Sequence, residues 1–415
     1  MGNSKKPVRP RSLLAGMFKS FDSSVVKEGM GNVAQVLSGS RNYYALVILF
    51  WVAVYASSIV ALDAIRIGYH EAYGVTREIP WGLMISSYIF FVVTSTGLCI
   101  VSAIGHVFGV KQFMPIAKRA VFISIVTICS GFVVILLEVE NPFRMLLYNA
   151  ISPNLTSNIW WMGTLYGVYL VFMVIEFGLL QFNLSKYAMA AGLVALISGI
   201  AAHSNLGAIF GMLHAREFWY GPYMPIYFIV SAMMSGCAAI ILFTWAAYKI
   251  NHKQMEDTMR GAISAVAKLS ALLIAVIMFF TVWKVITGTV SPAKEEVISS
   301  FVNGKYAVNF WVFEVGLGMV IPFALLLISK WKNMTMMVVA SAMMIVGIFV
   351  MRYDLVVFGQ IVSVFYELGV NEYKDLLSYS PSFHEMGIVA GAIGLTVLTF
   401  LLGEKVFKGH ESDIH

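Results

Sequence analysis

Ten runs of about 20 or more mainly apolar residues, each long enough to cross a hydrocarbon core about 30 Å thick, decide what this chain can fold into. They cover residues 43–65, 81–109, 115–137, 159–182, 187–211, 221–248, 261–287, 309–329, 334–352 and 383–403. Inside lipid every backbone N–H and C=O must be satisfied within its own segment, so runs of this length predict transmembrane helices. With 59% hydrophobic and 12% charged residues and a mean hydropathy of +0.80, two or three soluble domains are excluded and the fold class is all-α integral membrane. The formal charge of +6 therefore resides in loops and tails, where it reports orientation and not nucleic-acid binding. No short apolar stretch with a cleavage site precedes the first run, and a cleaved signal peptide is not expected.

With the N-terminus inside, inner segments hold 18 Lys and Arg and outer segments 9, with Lys268 left within a span. That two-to-one bias places both termini in the cytoplasm. The outer connections 66–80, 138–158, 288–308 and 353–382 are long and poor in basic residues, which suggests a partner docking outside. The inner basic tail needs no partner beyond membrane lipid.

Spans four apart match each other. Gly82, Tyr88, Thr96 and Gly97 pair with Gly221, Tyr227, Ser235 and Gly236 at an offset of 139, and Ala117–Lys118 pairs with Ala267–Lys268 at 150. Trp160 and Gly167 pair with Trp311 and Gly318 at 151, and Gly199–Ile200 and Phe210–Gly211 with Gly347–Ile348 and Phe358–Gly359 at 148. Both copies run the same way through the membrane, so the repeat is parallel. The expected organisation is a basic tail 1–42, a first helix and outer loop 43–80, one four-helix bundle 81–220, a second 221–382, and a last helix with its tail 383–415.

Cys99, Cys129 and Cys237 all lie in apolar runs without CxxC spacing, so no metal site or iron–sulfur cluster is expected. His106 and His203 sit at different depths, too far apart to share a haem iron. Ionisable groups at depth are costly and become candidates for chemistry. Lys118 and Lys268 can carry their ammonium groups to the headgroups. Glu176, in the inner half of span 4, reads either as a proton-entry group or as a partly hydrated boundary acid. Glu314 lies a turn inside the outer surface, and Arg352 and Asp354 end span 9 there; an Arg–carboxylate pair at that point is either structural or the end of a polar path. His203, within Ala202-His203-Ser204-Asn205, lies two to three turns below the outer surface, near the depth of Tyr88. A histidine, an amide and a phenol around an apolar cleft suit a quinone, whose carbonyls need hydrogen bonds and whose reduction needs protons. A histidine bonded to a neighbouring helix as structural glue is the competing reading.

The strings IPWGLMISSYIFFVVTSTGLCIVSAIGHVFG, LEVENPFR, AHSNLGAIFG, WYGPYMPIYFIVSAMMSG and FWVFEVGLGMVIP, in this order across residues 43–403, resemble the NrfD/PsrC family of quinone-interacting membrane subunits. Ten helices make the chain most similar to the branch that contains HybB and QrcD. Where the family carries Asp-Leu-Gly-Arg-Pro, this chain reads Glu138-Val139-Glu140-Asn141-Pro142. The resemblance implies a menaquinone site near the outer face of the first bundle formed by His203, Tyr88, Asn205 and Ser87. Glu176, Glu314, Arg352 and Asp354, as ionisable groups at depth, are the candidates for a proton pathway, and the resemblance implies no cofactor held by the chain itself. The implied partners are a periplasmic four-cluster-type iron–sulfur subunit and, beyond it, a molybdopterin-family subunit or a multihaem cytochrome c. A secondary transporter or a purely structural anchor are the alternatives.

Overall fold

A computed structural model describes residues 39–291, 294–362 and 376–407. Most of the basic tail 1–42, residues 363–375 of the last outer connection and 408–415 of the C-terminal tail lie outside the described residues. Among those described, ten helices are long and apolar enough to cross a membrane. They are α1 (Arg41–Ile67), α2 (Leu83–His106), α3 (Met114–Glu138), α4 (Asn158–Gln181) and α5 (Ser185–Gly211), then α6 (Met224–Ile250), α7 (Asp257–Val290), α8 (Asn309–Ile328), α9 (Met334–Ile361) and α10 (Phe383–Phe407). The chain is a multi-pass membrane protein. Below, outer and inner name the two helix ends as loop charge orients them.

Local chemistry starts these helices where expected. Ser40, Ser157 and Asn333 accept the backbone N–H groups of Tyr43, Trp160 and Met336, satisfying donors that a helix start leaves open. Pro115 and Pro225 occupy first-turn positions of α3 and α6, where no N–H is needed. α8 is irregular: Asn309–Val320 winds as a π-helix and Ile321–Ile328 as an α-helix. Pro322 has no N–H to offer the preceding turn, and the widened winding ends beside it, with Ile321 N–H reaching back to Gly316 O.

α2 is the hub of the molecule. Its most apolar window is 89% buried, against 6% for α1, so α2 is wrapped by protein while α1 faces the surroundings. α2 to α5 pack as one bundle and α6 to α9 as a second, and the two meet where α2 crosses α6. The crossing is made at the paired repeat positions: a Cβ on Gly97 would lie 1.8 Å from Ala232 O, and one on Gly236 2.2 Å from Gly97 C. Thr94 and Ser235 hydroxyls bond across the same contact at 2.6 Å. Small residues that let two backbones touch are how helices associate where lipid supplies no hydrophobic drive.

The two helices outside the bundles pair with each other, α10 laying Gly387, Gly391 and Gly394 against Val60, Ser57 and Ala53 of α1. α10 also packs on α3, where Arg119 donates to Glu404 through Nε (2.7 Å) and a second nitrogen (3.3 Å), with both side chains almost wholly buried. Loop counting treats Arg119 as an orientation charge; folding puts it in the interior. Losing one partner strands a buried charge, so Glu404→Ala should cost about 3–5 kcal/mol. A thermal scan of the purified protein checks this, and the Arg119→Met/Glu404→Leu double variant should recover most of the loss.

Between the helices the outer end is tied by side chains that reach backbone carbonyls. Arg216 donates to Gln360 O and Val362 O, each at 2.9 Å, and to Glu78 O at 3.2 Å, while Trp219 donates to Leu355 O at 2.6 Å. Glu385 accepts from Gly74 N and from the Tyr379 hydroxyl, which itself accepts from Leu83 N. Burial and the Glu385 carboxylate push the Tyr379 phenol up, keeping it a hydrogen-bond donor.

Candidate functional site

α4 shows what the helices build. Its buried residues are Tyr166, Tyr169, Met173 and Glu176, one face of a helix otherwise turned outward. From Tyr166 to Glu176 that stripe spans about 15 Å, half the hydrocarbon thickness, at about 1.5 Å per residue.

At the outer end of the stripe stands His203 of α5, with no exposed surface. Its Nε2 lies 3.1 Å from Phe228 O of α6 and its Nδ1 3.1 Å from the Tyr166 hydroxyl. A carbonyl can only accept, so Nε2 carries a hydrogen, and in the neutral imidazole Nδ1 then accepts from the Tyr166 hydroxyl. The Ser231 hydroxyl, whose one hydrogen goes chiefly to Tyr227 O at 2.7 Å, also lies 3.0 Å from Phe228 O. Phe210 and Phe228 stack at 5.8 Å, Trp81 and Trp219 stack at 5.6 Å, and Phe210 packs edge-on against both indoles, forming an aromatic column from the outer end down to His203.

One turn inward, the Tyr169 hydroxyl bonds Ser124 at 2.5 Å and Ser95 at 2.9 Å, joining α4 to α3 and α2. Cys99 of α2 lies within electrostatic reach of both Tyr169 and Glu176. At the inner end Glu176 Oε1 is 3.2 Å from His106 Nδ1 of α2. That contact has the distance of an ion pair without the angle of a hydrogen bond, since His106 Nδ1 finds no bonded acceptor. Gly192 of α5 makes room for it, because a Cβ there would sit 2.8 Å from Glu176 Oε1.

Several expected residues sit elsewhere than the sequence suggested. Asn205, two residues from His203, turns to the opposite side of α5 and donates to Asn158 O at 2.7 Å, so it does not converge on the histidine. Tyr88 is buried near Tyr166, but both His203 nitrogens are already taken. The repeat explains what the cleft reading overlooked. Tyr227 and Met351 are the repeat counterparts of Tyr88 and His203, and in the second bundle they do meet, hydroxyl to sulfur at 2.9 Å; in the first bundle Tyr166 takes that place. The Ser87 hydroxyl is buried with no bonded partner.

α9 continues to Ile361, so Arg352 and Asp354 lie well inside the helix and are fully buried, not at its end. Nor do they form the expected pair, because residues two apart face opposite ways on a helix. Arg352 donates to the Ser231 hydroxyl and lies 4.8 Å from the Phe228 ring, while Asp354 accepts from Asn309 at 3.0 Å. Glu314 is buried in the π-helical part of α8, within electrostatic range of Arg352 and Lys284. Lys284, overlooked among the loop charges, holds its ammonium 3.6 Å from the centre of the Phe218 ring.

The family profile described as "Polysulphide reductase, NrfD" matches residues 72–364, both bundles together. The chain belongs to the NrfD family. A selenate reductase subunit of Mesobacillus selenatarsenatis is 26% identical over 372 residues, which cover 79% of this chain and 85% of that protein. The Hdr-like menaquinol oxidoreductase integral membrane subunit of Archaeoglobus fulgidus is 27% identical over 383 residues, 89% of this chain and 94% of that protein. The first is described as a subunit of a selenate reductase and the second as the integral membrane subunit of a menaquinol oxidoreductase, so these relatives of the NrfD chain are subunits of oxidoreductases.

Proposed function

We propose that this NrfD chain exchanges electrons and protons between menaquinone and an iron–sulfur subunit docked on the outer, periplasmic connections, in an inner membrane with both termini cytoplasmic. The observation that carries the reading is the buried His203–Tyr166 pair at the foot of an aromatic column on the outer side. Support also comes from the menaquinol oxidoreductase subunit among its relatives.

Reducing a quinone takes two electrons and two protons. The electrons would come from a cluster held by the partner subunit, since Cys99, Cys129 and Cys237 of this chain lie scattered in apolar runs without cluster-ligand spacing. A quinone carbonyl competes with Phe228 O for the hydrogen on His203 Nε2. Phe228 O gives that bond up cheaply, since it lies inside α6 and keeps its helical main-chain bond. As Nε2 releases its proton to the quinone oxygen, Nδ1 takes the Tyr166 proton, and the imidazole stays neutral throughout. The second proton goes to the other quinone oxygen from the phenol of Tyr88, which is buried near Tyr166 and regains its proton by the route that serves Tyr166. Tyr166 is replenished along the α4 stripe, through Tyr169 with Ser95 and Ser124, from Glu176 and His106 at the inner end. The buried Glu314, Arg352 and Asp354, with the half-buried Lys284, give the second bundle a charged path of its own beside that route. Oxidation of the quinol runs the same steps in reverse.

Mild-detergent purification of the intact complex from its host tests the assignment. An iron–sulfur subunit and extractable menaquinone should accompany the chain. A lone oligomer without partners would make it a transporter, and partners without quinone would leave it a structural anchor; either result overturns the reading.

A further inference from the structure

At the inner end of the second bundle, away from the stripe, the ends of α6 and α7 and the turn between α8 and α9 enclose a cavity of about 550 Å³. This falls in the range of small-ligand sites, about 300–1,000 Å³. Lys249, Lys253, Arg260 and Lys332 line it, and no carboxylate is among its lining residues. Glu256 and Asp257 stand in the adjoining loop and first turn, both exposed, with Glu256 accepting from Thr258. Two long helices, α7 and α9, start at the cavity and two, α6 and α8, end beside it, so the helix dipoles offset one another and the cations supply the charge.

The rest of the lining is amphipathic: the indoles of Trp245 and Trp331 with Met255, Met334 and Met337. Trp245 is 37% exposed, and Ile328, three residues before Trp331 at the end of α8, is 66% exposed. Indoles at headgroup level beside an apolar flank mark the membrane interface. The turn that presents Trp331 places Lys330 and Trp331 in succession in the left-handed region, at φ 48° and 63°, held by a hydrogen bond from Trp331 N to the Ser329 hydroxyl. Two bulky residues there are strained, and strain of this kind persists where the surroundings enforce it.

We infer that this cavity binds the phosphodiester headgroup of an anionic phospholipid, with the acyl chains running down the exposed flank beside Trp245 and Ile328. The cations supply the charge match. The apolar flank favours a lipid over a dissolved phosphate, which has no use for indoles and methionines. Basic pockets between membrane helices hold such headgroups by the same physics.

Lipids co-purifying with the complex, counted by mass spectrometry, test the site in the wild type and in Lys249→Gln/Arg260→Gln/Lys332→Gln. All three positions are exposed, so the variant should fold. Each cation near anionic lipid is worth a factor of about five, so added phosphatidylglycerol should bind the triple variant on the order of 100-fold more weakly. Lys249→Arg/Lys332→Arg should retain the lipid. Equal anionic lipid in wild type and triple variant would overturn the inference. So would stabilisation by inorganic phosphate matching that by phosphatidylglycerol, which assigns the cavity to a soluble phosphate. Loss of a protein subunit from the variant with its lipid unchanged would do the same.

Discussion

Replacing His203 by Ala in the assembled complex should lower menaquinone turnover by about 100-fold or more, the usual contribution of a positioned acid–base group. The residue is placed for proton transfer: one nitrogen carries a hydrogen that a quinone oxygen can take, and the other already accepts from Tyr166. Tyr166→Phe keeps the ring and removes the proton source. It should lower kcat about tenfold with little change in KM, while the wild-type pH profile changes shape. His203→Gln separates the two roles, since an amide can still donate to Phe228 O but cannot pass a proton between two atoms. If His203 were only structural glue, His203→Gln would restore turnover. Steady-state oxidation of a menaquinol analogue, normalised to assembled complex, decides between them.

Gly97→Val should abolish assembly. No side chain fits at the α2–α6 crossing, where a Cβ on Gly97 would lie 1.8 Å from Ala232 O and 2.9 Å from Gly236 N. These are backbone atoms that cannot rotate away, so the helices must separate and the Thr94–Ser235 bond must break. Ordinary overpacking costs about 1–3 kcal/mol, and a clash of two backbones at the hub exceeds that range. Gly167 of α4 is the control. It is helical, with nothing within 4 Å of an added Cβ, so Gly167→Ala should leave stability unchanged or raise it by about 0.4–1 kcal/mol. Size-exclusion profiles and thermal scans of the two variants distinguish a packing requirement at Gly97 from a general sensitivity to glycine loss.

The parallel repeat was legible because it is written in residues with few substitutes. Gly97 and Gly236, paired by offset alone, touch each other at the bundle interface. His203 was legible as a lone ionisable group in an apolar run. Tyr166 and Tyr169 were not, because a chain with 19 tyrosines offers many phenols and nothing in their composition marks a partner. Their spacing with Glu176 on one face of α4 was the available signal. Arg119 and Lys284 were misread for a related reason: a basic residue near a span end looks the same whether its side chain reaches water or turns into the protein. The expected Arg352–Asp354 pair failed because adjacency in sequence places the two side chains on opposite sides of a helix.

By itself the sequence determined the ten crossings and their helical nature, because a continuous apolar run of about 20 residues satisfies its own backbone in lipid as a helix, and it carried the parallel repeat in its paired positions. The tertiary structure alone decided which polar atoms meet. Helices apolar on every side carry little record of their rotation about their own axes, each residue turning that face by about 100°. A hydrogen bond at 3.1 Å between His203 and Tyr166 depends on that rotation, and close packing through residues such as Gly97 and Gly236 sets it.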